Sequence, residues 1–242
     1  MAGLGLFIHS LMGMIKDNKE NKGSQKPVIV PYDEIITGQI NNHNYVDLGL
    51  PSGLKWATCN VGANSPEEFG NYYAWGETQP KKNYDCASLK YSEDAPEPHY
   101  VKLTKYNTHI ELGPVDGKIQ LEPDDDVASV NWGNPWRTPS KHDFEELISV
   151  CTWEYSIFHK IKGVKITGPN GKSIFLPISG YKHFDSLDKE CGHYWSSSLA
   201  SDESKSTCSW QLFIRPKANG SSLGFLSREN RSLGLTIRAV SL

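Results

Sequence analysis

An acidic run contains the residues that most directly suggest metal chemistry. Glu122 is followed by a proline and then by Asp124, Asp125 and Asp126. Carboxylate oxygens are the ligands that Ca²⁺ prefers in proteins, so these four side chains can together supply several ligands. The alternative is a solvated acidic turn that leads into the apolar residues 127–130, and the sequence favours it. We therefore predict no metal and no cofactor, and calcium at these acids stays as the alternative.

Histidine and cysteine side chains near residue 190 raise the question of zinc. His183, Cys191 and His193 are close in sequence, with acidic residues between them. No two of them have the spacing of a zinc-finger ligand pair, so a polar loop before a strand is the preferred interpretation. The five cysteines are odd in number, which leaves at least one thiol free within the chain. We expect ordinary reduced cysteines, and the alternative is a disulfide between Cys191 and Cys208.

Two short motifs resemble parts of catalytic sites, but their surroundings do not fit. Residues 220–224 match the G-x-S-x-G pattern, which needs a strand before it and a helix after it, and the sequence after residue 224 is not helical. Gly171, Lys172 and Ser173 match the end of a phosphate-binding loop, but Ile166 stands where that loop requires glycine. The sequence therefore predicts a protein that is not an enzyme.

The segment from residue 196 to residue 232 has the composition of a binding surface. It combines serine, asparagine and glycine with a few arginines, and antibody combining sites use such residues for adaptable hydrogen bonding. The predicted partner is a protein or a glycan, and the alternative is a plain solvated loop. The candidate ligand-contacting residues are Ser196, Ser198, Asp202, Arg215, Lys217, Asn219, Arg228, Asn230 and Ser232.

Composition excludes some partners and sets the domain boundaries. The net charge is −3 and the chain shows no lysine or arginine stripe, so we predict no nucleic-acid partner. The apolar residues 2–15 are too few to span a bilayer, so no transmembrane span is predicted. They indicate a short docking helix or the remnant of an export signal. A polar, lysine-rich linker follows, so we predict an N-terminal arm over residues 1–38 and one compact domain over residues 39–242.

The candidate residues must be positioned by short elements of secondary structure. The order of these elements in the sequence predicts an α+β fold with short antiparallel strands, few helices and long loops. Ser140 begins the clearest helix, because Asp143 completes a capping box and apolar residues recur at helical spacing after it. Residues 77–130 lack periodicity and are predicted to be a ligand-presenting loop region. Strands are predicted at 43–48, 54–57, 163–167, 172–177, 209–215 and 235–239, and a short helix from residue 65.

Blocks rich in tryptophan recur along the chain and resemble one protein family. Residues 43–62, 70–77, 132–151, 170–180, 192–198 and 231–240 are similar to the Fibrobacter succinogenes major paralogous domain family of Bacteroidetes. The resemblance implies a C-type lectin-like fold and a place at the cell surface or outside the cell, usually without a known activity. It also implies that the family's shared tryptophans form the core. Arg137 and Arg238 are expected to satisfy buried carbonyls or acids rather than to catalyse, because a guanidinium offers five donors in a fixed fork.

Relatives with this fold suggest three kinds of function. Variable receptor-like proteins, diversified by retroelements, carry their ligand-facing positions in the C-terminal region. Sugar-binding C-type lectins use calcium motifs that Glu122, Pro123 and Asp124 match only in hybrid form. Formylglycine-generating enzymes use neighbouring cysteines, and Cys191 and Cys208 are too far apart to match. We therefore predict a non-enzymatic ligand-binding or adhesion module. The alternatives are a structural component of a cell-surface assembly and, with less support, an enzyme of the formylglycine-generating type.

Overall fold

Short strands make up most of the regular structure. The computed structural model describes residues 32–33, 35–93, 102–201, 206–215 and 223–242. Within these ranges the two α-helices are α1 (Val127–Trp132) and α2 (Lys141–Val150). The strands are β1 (Gly38–Ile40), β2 (His43–Asp47), β3 (Lys55–Ala57), β4 (Ser92–Glu93), β5 (Lys102–Leu103), β6 (Thr152–Phe158), β7 (Ile161–Thr167), β8 (Ser173–Pro177), β9 (Tyr181–His183), β10 (Ser186–Asp188), β11 (Gly192–Leu199), β12 (Cys208–Ile214), β13 (Gly224–Asn230) and β14 (Val240–Ser241).

The strands form small antiparallel sheets. The order is β1–β2–β3–β14 in one sheet, β6–β7–β8 in a second and β11–β12–β13 in a third, and β4–β5 and β9–β10 are two-stranded. Every pairing of neighbouring strands in these sheets is antiparallel. Together with the two helices, this architecture agrees with the α+β class that the sequence predicts.

Helix α2 closes one hydrophobic core against the sheets. Phe144 and Leu147 are fully buried on its inner face and pack in a cluster with Trp56, Tyr194 and Leu212. The predicted capping box is present, because Ser140 Oγ accepts from the Asp143 N–H while the Asp143 carboxylate accepts from the Ser140 N–H. The helix therefore begins where the sequence predicts.

A second core is built around tryptophans, as predicted. Trp75, Trp136 and Trp195 are each 1% exposed and Trp132 is 9% exposed, and all four pack in one cluster. Their indole N–H groups are used as well: Trp75 donates to Ser196 O at 2.7 Å and Trp195 donates to Tyr73 O at 2.8 Å. Large aromatic side chains thus hold together segments with little regular structure.

Two arginines satisfy carbonyls and an acid inside the fold. Arg238 is fully buried and donates to Ala57 O, Thr58 O and the side-chain oxygen of Asn60. Arg137 makes an ion pair with Asp143 at 2.5 Å. Both arginines therefore have the structural roles that the sequence predicts.

Two sequence predictions about elements are wrong. Residues 65–68 form a turn rather than a helix, because Gly70 at φ +70° reverses the chain and Asn71 N–H donates to Val61 O. Residues 235–239 are buried and do not form a strand: Leu235 and Thr236 make isolated bridges, and a regular strand is present only at Val240–Ser241. The hairpin over 163–177 is confirmed, with Gly171 N–H donating to Gly168 O in its turn.

Within the described ranges, neither helix has the length and apolar character needed to cross a membrane. The predicted arm over residues 1–38 lies largely outside the described residues, so its docking helix or signal stays a prediction. The predicted start of the compact domain at residue 39 falls within β1.

Candidate functional site

The predicted ligand-contacting residues do not form one surface. Asp202, Lys217 and Asn219 lie outside the described residues, and so does most of the G-x-S-x-G match. Ser196 and Ser232 are buried, and their hydroxyls donate to Trp210 O and to the Asn230 side-chain oxygen. These two serines belong to the interior of the fold, so their assignment to a ligand surface is corrected.

The remaining candidates separate onto opposite sides of the sheet β11–β12–β13. Arg228 lies opposite Trp210 in the pairing of β12 with β13, so both side chains project from the same face. Arg215 stacks over Phe213 and Phe225, whose side chains alternate onto the other face. Asn230 is half-buried at the end of β13, where its side-chain oxygen accepts from the Ser232 N–H and closes a short turn.

The acidic run is largely committed to structural hydrogen bonds. Asp125 is 2% exposed and its carboxylate accepts from Lys90, Lys105, Tyr91 and Tyr106. Burial alone would raise the pKa of this carboxyl, but those four donors outweigh burial and hold the pKa well below its usual value. This carboxylate is therefore not available as a calcium ligand.

Asp126 is committed in a different way. It caps α1 by accepting from the Ala128 and Ser129 N–H groups, and it also accepts from the N–H and hydroxyl of Thr138. Burial raises its pKa although these hydrogen bonds act in the opposite direction. In the part of the chain that the structure describes, no group of three histidine, cysteine or acidic side chains is placed to hold a metal ion.

His183 and His193 have different environments in the structure. His193 is buried and makes a 2.9 Å hydrogen bond to Gln211, whereas His183 is exposed and its ring lies in a tilted contact with the Phe184 ring. Neither histidine belongs to a group of three possible metal ligands among the described residues. All five cysteines are free, as expected, so the alternative pairing of Cys191 with Cys208 is not present.

A groove of about 470 Å³ lies between the end of the irregular segment, α1 and the loop before α2. Its apolar wall includes Val130, which is 47% exposed, and Trp136. Its polar groups include the exposed side chains of Asp124 and Asn134 and the half-buried Arg137. Ligand sites in proteins combine apolar walls with a few polar groups in the same way and have volumes of this order. The full lining is Gln120, Leu121, Pro123, Asp124, Asp126, Ser129, Val130, Asn134, Pro135, Trp136, Arg137 and Ser197.

Gln120 connects the groove to the face that carries Arg228. Its amide N–H donates to Ser197 Oγ within the groove, and its amide oxygen accepts from Ser198 Oγ at 2.9 Å. Ser198 Oγ in turn accepts from the Lys141 N–H at 3.0 Å. The predicted residue Ser198 is therefore a half-buried link at the rim of the groove rather than part of an open surface.

Two cations meet on one indole ring beside this rim. The Lys141 Nζ lies 4.3 Å from the centroid of the Trp210 ring, and the Arg228 guanidinium lies 5.6 Å from the same centroid. Trp210 is half-buried and Arg228 is exposed. We call Lys141, Trp210 and Arg228 the cationic cluster. Cations are attracted to the face of an aromatic ring by its quadrupole, which fixes the position of both charges.

The groove and most of the cationic cluster could not be predicted from the sequence. The walls of the groove come from residues 120–137 and from Ser197, which are brought together only by tertiary packing. Trp210 alternates with Leu212 and Ile214 and therefore has the pattern of a core residue. The one available signal was the prediction that residues 77–130 present a ligand, since the first part of the groove wall lies at the end of that segment.

Comparison of the chain with protein-family models, with curated proteins and with solved structures found no match. The function must therefore be argued from the geometry of the groove and the cationic cluster.

Proposed function

We propose that this protein is a non-enzymatic binding or adhesion module that holds a saccharide in the groove between α1 and the loop before α2. The observation that carries the proposal is the groove itself. Its open volume of about 470 Å³ is bordered by an exposed valine, a tryptophan and polar side chains that both donate and accept hydrogen bonds. Sugar hydroxyls also donate and accept, so they match this lining.

The strand that borders the groove favours a saccharide over an extended peptide. Peptides often bind by adding a strand to a free sheet edge. At the groove, the Ser197 N–H of β11 donates to Pro139 O at 2.8 Å, and the Ser197 carbonyl accepts from the Leu121 N–H at 2.9 Å. These backbone groups are already paired, so a peptide cannot pair with them.

The groove is better suited to binding than to catalysis. Of its two carboxylates, Asp126 is held by donors from α1 and from Thr138, so it is not free to exchange a proton with a ligand. The lining contains no histidine and no cysteine among the described residues. A nucleophile paired with a base, which acyl or phosphoryl transfer commonly uses, therefore has no counterpart in this lining.

The family resemblance supports the same proposal at the level of the whole fold. We propose a C-type lectin-like fold in which small antiparallel sheets and buried tryptophans form a rigid body. In receptor-like proteins with that fold, segments near the C-terminus face the ligand. Here Ser197 of β11 lines the groove, and β12 and β13 carry Trp210 and Arg228 of the cationic cluster. A position at the cell surface follows from the same resemblance and is part of the proposal.

The test is binding of the purified full chain to an array of immobilised neutral and acidic saccharides, in calcium and in EDTA. Val130→Trp places an indole into the groove and is expected to weaken binding about tenfold or more. Val115→Trp is the matched control, because Val115 is 51% exposed and lies outside the groove. Full binding by Val130→Trp would place the ligand elsewhere, and no binding to any saccharide would overturn the proposal. Equal binding in calcium and EDTA is the expected result.

A further inference from the structure

We propose that the cationic cluster of Lys141, Trp210 and Arg228 binds the acidic group of the saccharide held in the groove, so that the ligand is a carboxylate-bearing glycan. This inference rests on the proposed function and names the class of ligand. Trp210 and Arg228 are directly opposite each other on β12 and β13, and Lys141 is the first residue of α2. The positions of the three residues are therefore fixed by regular elements, namely a pair of strands and the start of a helix.

The arrangement places two positive charges close together at the surface. Both lie within 5.6 Å of one ring centroid, so the two charged groups are no more than about 10 Å apart. Like charges repel, and the attraction of each charge to the ring offsets part of that repulsion. A carboxylate bound beside the ring interacts favourably with both cations, which gives the cluster a preference for anions.

The acid paired with Lys141 does not prevent this binding. Glu145 lies one helical turn from Lys141, with 3.5 Å between its carboxylate and the Lys141 Nζ. Both side chains are more than a third exposed, and ion pairs of this kind contribute little free energy in water. A ligand carboxylate held by several contacts can therefore replace or share this partner.

The cluster is continuous with the groove. Gln120 lines the groove and accepts from Ser198, and the hydroxyl of Ser198 accepts from the Lys141 N–H. A saccharide with one ring in the groove can therefore extend over Gln120 and bring a neighbouring acidic ring to Trp210. A binding site of this extent discriminates between ligands by charge at one end and by shape at the other.

The experiment compares paired oligosaccharides on the array, each ending either in glucuronic acid or in glucose. The wild-type protein is expected to bind the glucuronic acid form about tenfold more tightly, because hydrogen bonds to a charged group contribute on this scale. The double variant Lys141→Gln and Arg228→Gln is expected to lose this preference and to bind both forms with equal affinity. Increasing the salt concentration is expected to weaken binding of the acidic form to the wild-type protein, and to leave the other affinities unchanged.

Two further variants separate charge from local structure. Lys141→Arg with Arg228→Lys keeps both charges and is expected to keep the preference for the acidic form. Lys162→Gln removes an exposed charge on β7 and should leave the preference unchanged. Equal wild-type affinity for the two forms, or a preference that survives the double Gln variant, overturns this inference and leaves the proposed function intact. If neither form binds and no other saccharide on the array binds, the proposed function fails as well.

Discussion

Single side chains in the loop region are held by several partners at once, and Asp125 shows what this does. Its carboxylate accepts hydrogen bonds from two lysines and two tyrosine hydroxyls, and the distance from Lys105 Nζ to the carboxylate oxygen is 2.5 Å. Lys105 also contacts Glu122 at 2.6 Å. Two acids of the run that resembles a calcium site in the sequence, Glu122 and Asp125, are therefore paired with lysines. One sequence cannot show this, because the lysines and tyrosines that donate to Asp125 lie as far as 35 residues away.

The depressed pKa of Asp125 predicts how stability depends on pH. Hydrogen bonds that favour the charged carboxylate stabilise the fold above the unfolded-state pKa of about 4, and this contribution is lost as pH falls below that value toward the lower folded-state pKa. Asp125→Asn is expected to be less stable than the wild type at pH 7, and the difference should shrink as the pH is lowered from 5 toward 2. Urea unfolding at a series of pH values measures this.

The control for this prediction is Asp185→Asn, which changes an exposed aspartate in the loop between β9 and β10. It is expected to follow the wild-type stability at every pH within experimental error. A constant difference between the wild type and Asp125→Asn across the whole pH range would show that the carboxylate is not the group that the donors stabilise.

At the scale of elements, local signals in the sequence predicted structure well and long-range packing was not predictable. The Asn-Gly turn over residues 168–171 and the capping box at Ser140 depend on neighbouring residues, and both are present. Which serines of β11 face outward could not be predicted. The strand has a register shift between Trp195 and Leu199, so simple alternation fails there. Ser196 is consequently buried, while Ser198 reaches the rim of the groove.

The capping box also makes a measurable contribution to α2. Ser140→Ala removes the hydroxyl that accepts from the Asp143 N–H and donates to its carboxylate at 2.8 Å. The expected loss in the free energy of unfolding is about 1 kcal/mol, the usual value for an N-cap serine. Ser149→Ala, near the other end of the same helix and exposed, is the matched control and should change stability by less than about 0.5 kcal/mol. Equal losses in the two variants would contradict the capping role.

At the scale of the whole molecule, the last eight residues connect parts of the chain that are distant in sequence. Leu235 pairs with Tyr73, Thr236 accepts from the Trp195 N–H, and Val240 pairs with both Arg137 and Trp56. Arg238 adds its hydrogen bonds to the carbonyls after β3. The alternation of apolar residues in this segment indicated burial correctly but indicated the wrong element, because the segment packs on both of its sides.

This role of the C-terminal segment predicts that the fold does not form without it. Leu235, Ile237 and Val240 are at most 4% exposed, and burial of each contributes about 2 kcal/mol. Together they approach the total stability of a typical domain, about 5–15 kcal/mol, before the hydrogen bonds are counted. A chain that ends after Gly234 is therefore expected to lack near-ultraviolet circular dichroism and a cooperative thermal transition. Removal of Leu242 alone, which is 68% exposed, is the control and should leave the melting temperature unchanged. A cooperative transition in the chain that ends at Gly234 would show that the sheets and the tryptophan core assemble without this segment.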